Sequence, residues 1–230
     1  MVLPSCTSSA LNGSAMLTIS GIERHFAGLI LLDCTPLEAE CIALFAASST
    51  ENRLKHLEGY RGAAFSASPC GRFALEIVLW DDPAALATAQ KNPLFSEHIK
   101  IIEHHVKHLY VAFSTRHEIC GTNGISFARG ERFSFTLYRP GTPPSLGVAR
   151  ERARSMTELG SVRALLHSAE DGAGLALLSK DALDASADAT LSATFGAPAF
   201  KDDFIVVESI SAPRDAECFA PPYRLTLPTA

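Results

Sequence analysis

Two residues in the run Phe73 to Trp80 carry most of the chemical potential of this sequence. Alternation at period two sets Glu76, Val78 and Trp80 on one face of a strand and Phe73, Leu75, Ile77 and Leu79 on the other. A carboxylate in so apolar a strand must be paired, hydrated or raised in pKa. Buried beside a cavity, Glu76 would act as a general base; facing solvent, or bridged to Arg61 or Arg72, it would be an ordinary strand charge. Trp80, the only tryptophan, either stacks on a flat ligand or fills the sheet-to-helix core with its indole N–H satisfied.

Other constellations read more blandly. His98, His104, His105 and His108 form the densest histidine group, and on one continuous helix His98 and His105 share a face with His108 one turn on. The H-E-x-x-H motif of helical metal sites is missing here. The group therefore reads as a solvated or partner-facing patch that holds no metal. Neither Gly121-Thr122-Asn123-Gly124 nor Gly172-Ala173-Gly174 joins a strand to a helix at the spacing of a nucleotide loop. The six cysteines include no C-x-x-C pair, which speaks against a zinc ribbon or a thioredoxin-type site and for reduced, structural thiols.

Composition bounds the rest. With 47% hydrophobic and 20% charged residues the chain has the material for a packed interior, and 230 residues leave room for two units of about 100 residues. A net charge of -5 and a pI near 5.9 lack the cationic excess that a nucleic acid backbone demands. No apolar stretch approaches the roughly 20 residues of a membrane span, and Met1 to Ser20 has no basic n-region of a signal peptide. The expected compartment is the cytoplasm.

The elements that must position Glu76 and Trp80 follow from local pattern. Phe26 to Leu32 reads as a strand, and Leu37 to Leu57 as a helix with a break or looser turn over Ser48 to Arg53. An extended run to Ser68, the turn Pro69-Cys70-Gly71 and the run Phe73 to Trp80 form a hairpin. Asp82-Pro83 caps a helix from Ala84 to Gln90, Asn92-Pro93 interrupts it, and a second piece runs from Leu94 to about Val106 before the strand Leu109 to Phe113. The order is β-α-β-β-α-β, that of a ferredoxin-like half.

The same order recurs more weakly after a connector. Phe133 to Tyr138 is strand-like, Pro143-Pro144-Ser145 precedes a helix to about Leu159, and Val162 to His167 with Leu175 to Leu178 form a hairpin around Glu170-Asp171-Gly172. Asp181 caps a helix to about Ala193, and Phe204 to Ile210 is the last strand. The predicted organisation is an N-terminal extension (1–22), a first half (23–115), a connector (116–130), a second, degenerate half (131–211) and a C-terminal tail (212–230). Each half alone leaves an apolar sheet face bare, so the fold class expected is α+β, two ferredoxin-like halves packed sheet to sheet as an intrachain α+β barrel.

The stretch Glu58-Gly59-Tyr60-Arg61-Gly62-Ala63, the turn Pro69-Cys70-Gly71-Arg72 and the run from Glu76 through Trp80-Asp81-Asp82-Pro83 to Leu86 resemble the central hairpin of the antibiotic biosynthesis monooxygenase family. Asn92-Pro93-Leu94-Phe95 stands where that family often carries a polar break in its second helix, and the resemblance covers Phe26 to Phe113. It implies a cavity between sheet and helices, around Trp80, and, in some members, oxygenation of an aromatic polyketide-like substrate without a cofactor. Trp80 aligns with the tryptophan lining that site, while the asparagine four before it and the tyrosine six after it are replaced by Glu76 and Leu86. In the second half Ser179 or Lys180 falls near the place of Trp80.

The function expected is oxidation of a small planar hydrophobic or aromatic molecule without metal or flavin. Glu76 is the candidate base, and Trp80, Tyr60 and Arg61 are candidate lining groups. The alternative is a noncatalytic ligand-binding or assembly module on the same fold. Monomer and homodimer are both open.

Overall fold

The elements between Phe26 and Ser114 form where alternation and turn chemistry put them. The computed structural model describes residues 17–19, 26–35, 38–104, 106–114, 117–120, 125–138, 151, 164–167, 175–179 and 185–211. After a short strand β1 (Leu17–Ile19), β2 (Phe26–Asp33) leads to α1 (Ala39–Asn52), whose first N–H bonds the carbonyl of Gly71 in the hairpin turn. A 3-10 turn (Leu54–His56) follows, then β3 (Tyr60–Ala67) and β4 (Phe73–Trp80). Next come α2 (Pro83–Ala89), α3 (Pro93–Glu103) and β5 (Lys107–Ser114). Both short helices start at an Asx-Pro pair: Asp82 accepts the Ala85 N–H at 2.8 Å and Asn92 the Leu94 N–H at 3.0 Å.

The break expected over Ser48 to Arg53 does not occur. α1 runs through to Asn52 because its polar residues find partners without leaving the helix: Asn52 donates to the Ser48 carbonyl, and Ser49 and Thr50 are buried against neighbouring elements. The looser turn comes later, as the 3-10 piece.

Two short strands, β6 (His117–Cys120) and β7 (Ile125–Phe127), lie between residues 116 and 130, and β7 pairs antiparallel with β1. Beyond them are β8 (Arg132–Tyr138), β9 (Ala164–His167), β10 (Leu175–Ser179), α4 (Ala185–Phe195) and β11 (Phe200–Ser211). The helix expected before Leu159, Glu151 apart, lies outside the described residues, as do the turn at Glu170-Asp171-Gly172 and Asp181.

Among the described residues, seven strands share one antiparallel sheet in the order β10-β8-β11-β3-β4-β2-β5. The strands expected in two facing sheets are thus hydrogen-bonded through a seam between β3 and β11, where Phe65 stands opposite Glu208 and Ala63 opposite Ile210. The sheet curls: Tyr110 of β5 and Leu178 of β10, at its two ends, belong to one apolar core with Leu75, Ile77, Phe135 and Phe204. β6 pairs with β9, and β9 lies beside β10, which draws the ends together. Leu17 enters this interior next to Gly62, where a Cβ would come within 2.9 Å of the Ile210 carbonyl. The outer face of β2, β3 and β4 packs under α1, α2 and α3 as a second core. Each fully buried Leu or Ile in these rows contributes about 1.5–3 kcal/mol. No helix among the described residues is long and apolar enough to cross a membrane.

Candidate active site

β4 supplies the floor of the layer between sheet and helices. Its alternation sends Phe73, Leu75, Ile77 and Leu79 into the curled interior and Ala74, Val78 and Trp80 into the helix-covered core. Trp80 is 1% exposed, its ring centroid 5.7 Å from Tyr60 in an edge-on contact and 6.3 Å from Phe95 of α3. Tyr60 is the register partner of Trp80 on β3; its hydroxyl donates to the Ile210 carbonyl at 3.4 Å, and burial pushes its pKa well up.

The residue before Tyr60 fixes this corner. Gly59 has a φ of 79°, its carbonyl accepts the Asp81 N–H at 2.8 Å, and a Cβ there would collide with the Ala85 side chain in the first turn of α2. Gly59→Ala should therefore cost about 1–3 kcal/mol through the left-handed backbone and the displaced helix start. Urea unfolding monitored by circular dichroism measures it, and an unchanged midpoint would show that the corner yields freely.

Glu76 sits in the same row as Trp80 and is 3% exposed. Its register partners are Ile30 and Phe65, both apolar, and its Oε1 has no hydrogen-bond partner. The solvent-facing and salt-bridged readings both fail. Arg61 is bonded to Asp81, with its second contact at 3.0 Å, and Arg72 to Asp33 at 2.8 Å. Arg61 thus stands on the exposed rim rather than beside Glu76. Burial alone raises the Glu76 carboxyl to about 8, so at neutral pH it carries its proton. The buried Cys34 thiol is pushed up to about 12 by burial first, with the charges of Asp33 and Glu76 adding to it.

α1 and α3 contribute a polar pair, Ser49 and His98, the second of which was expected in a surface patch. His98 is 3% exposed, not part of a surface patch, and its Nδ1 lies 2.9 Å from the Ser49 hydroxyl of α1. Burial first, and then the Arg53 charge, lower its pKa to about 4, so the imidazole is neutral. His104 and His108 are exposed, and His105 lies outside the described residues. The signal available in the sequence was spacing: Phe95, His98 and Ile102 fall on one helix face, and all three pack inward.

No protein-family model and no curated protein sequence matches the chain. Solved structures do. An anthrone oxidase-like protein superposes with a TM-score of 0.60 at 14% identity, covering 87% of this chain and 98% of that one. A protein from Fusobacterium nucleatum subsp. nucleatum, named as a monooxygenase, superposes with a TM-score of 0.51 at 12% identity, covering 83% and 95%. At such identities the likeness is one of fold.

Proposed function

We infer that the chain is a cofactor-independent monooxygenase acting on a small planar aromatic substrate. The observation that carries this reading is the buried, unpartnered carboxyl of Glu76 on the strand face that also presents Trp80. Ionised Glu76 removes the acidic proton of a ring CH2 conjugated through the fused aromatic rings with a carbonyl, and the delocalised carbanion itself reduces dioxygen. One oxygen atom remains on carbon as a new carbonyl and the other leaves as water, so CH2 and O2 become C=O and H2O. Trp80 and Tyr60 line the ring, and Arg61 holds the rim through Asp81. Fold likeness to proteins named as oxidase-like and monooxygenase supports the class of reaction.

The same reading takes the chain as two tandem ferredoxin-like halves, 23–115 and 131–211, with the second structural and the whole working in the cytoplasm as monomer or homodimer. In its support, β5-β2-β4-β3 runs in the order 4-1-3-2 of such a unit, and β11-β8-β10 repeats 4-1-3 with β9 beside β10.

A second reading, a noncatalytic binding or assembly module, is favoured by the close packing of Trp80 between Tyr60 and Phe95. Oxygen uptake separates the two. With anthrone as probe in metal-free buffer, the protein should consume one O2 per ketone oxidised above the spontaneous rate, and Glu76→Gln should not. Uptake at the spontaneous rate in both proteins would favour the binding module.

A further inference from the structure

The layer over Glu76 and Trp80 is closed: the two residues are 3% and 1% exposed, so any molecule that meets them must first displace part of their cover. The three covering helices are not held alike. α1 runs against β3, β4 and β11 with Ala39, Ile42, Ala43, Ala46 and Ala47 buried in the apolar core, and its first N–H is tied to the Gly71 carbonyl. α2 rests on β4, capped by Asp82 and seated through Ala85 against Gly59. α3 has α1 and the 3-10 turn as its main neighbours. What joins it to α1 is a polar set: His98 Nδ1 lies 2.9 Å from the Ser49 hydroxyl, Arg53 donates to that hydroxyl at 3.4 Å, and Arg53 stands 3.8 Å from Glu97. Water replaces such bonds when two helices part, so their net hold is small.

Apolar anchorage of α3 falls mainly to Ile102 and to Phe95, which is only partly buried against Trp80. Ser96, Glu97, Lys100 and Glu103 face solvent. Both ends leave room for a pivot: Asn92, extended at φ -78° and ψ 131°, joins α3 to the turn after α2, and residues 104–106 lead on to β5. We propose that α3 is a hinged lid over the Trp80 layer, pivoting at Asn92 and latched to α1 through Ser49 and His98. Lifting it parts Phe95 from Trp80 and opens the strand face that Glu76 shares. An element held by exchangeable polar bonds and few apolar contacts opens at the low end of a protein's range of local stabilities, as a lid must. The device goes beyond the monooxygenase reading, since a catalytic layer and a merely binding one need the same way in.

Amide hydrogen exchange at pH 7, followed by mass spectrometry over a series of low urea concentrations, reads the opening without turnover. A detached helix of 11 residues does not persist in water, so lifting the lid exposes its amides to exchange. In wild type, protection in α3 should be at least about tenfold lower than in α1 and β4 and should depend less on urea, because a moving lid exposes little surface. Equal protection and equal urea dependence in the three elements would mean that α3 leaves only on global unfolding, and overturns the lid. The double variant Ser49→Ala/His98→Leu exchanges the polar latch for an apolar pair whose exposure water does not compensate, so protection in α3 should rise about fivefold. Protection unchanged or lowered overturns the part given to Ser49 and His98. Should the double variant fail to fold, Ser49→Ala alone decides: it leaves Nδ1 of His98 buried without its partner, protection in α3 should fall about fivefold, and a value equal to wild type overturns the latch. None of these results bears on oxygen uptake, which tests the monooxygenase reading separately.

Discussion

Glu76→Gln should make the protein more stable and end its turnover. The folded pKa of Glu76 is about 8, raised from an ordinary 4.5 by burial. Below pH 4.5 the carboxyl is protonated in both folded and unfolded chains and the wild type bears no penalty. As pH rises from 4.5 to 8 the unfolded chain ionises while the folded one cannot, and stability is lost at about 1.4 kcal/mol per pH unit. Glutamine does not titrate. The variant should thus match wild type near pH 4 and exceed it by about 3 kcal/mol at pH 7. Denaturant unfolding across that range measures the gap, and a gap that does not grow with pH would mean that the native carboxyl is ionised. In the same range the oxygenase rate of wild type should rise with pH through an inflection near 8, since only the ionised carboxyl is a base. Glutamine should lower the rate by a factor on the order of 100 or more.

His98 imposes the opposite slope. Its folded pKa is about 4 against an ordinary 6.5, so the stability it permits is complete above pH 6.5 and is lost as pH falls toward 4. The charged form would have to stay buried and sit near the Arg53 cation, whose own carboxylate partner, Glu97, is 3.8 Å away and exposed. The loss should amount to about 3 kcal/mol at pH 4. His98→Gln should flatten this acid limb without altering the alkaline one, and thermal unfolding from pH 4 to 7 reads the difference. An acid limb as steep in the variant as in wild type would place the acid-sensitive group elsewhere. Between pH 4.5 and 6.5 the two residues offset each other.

Local pattern reached the floor of the site but not its ceiling. Period-two alternation is a property of one strand, so the shared face of Glu76, Val78 and Trp80 could be read directly, as could the cap at Asp82. The state of Glu76 could not, because it depends on what Ile30, Phe65 and the helices bring over it. His98 leaves the expected surface patch for the same reason: its partner Ser49 is 49 residues away on another helix, a contact that neither segment's own pattern encodes. Likewise the pairing of β3 with β11, or of β1 with β7, is a register between distant segments, set by tertiary packing and not by either strand's composition.

The β3–β11 seam also governs the order in which the chain can mature. β3 is complete once residue 67 is made, but its second hydrogen-bonding edge waits for a strand that starts at Phe200. Until then a half-built sheet carries a long, apolar open edge along Ala63, Ala64 and Phe65, the kind of template on which chains pair with one another. A polypeptide stopped after β5 should accordingly collect in the insoluble fraction while the full-length chain stays in solution, which makes the arrival of β11 the step that releases the nascent protein from aggregation.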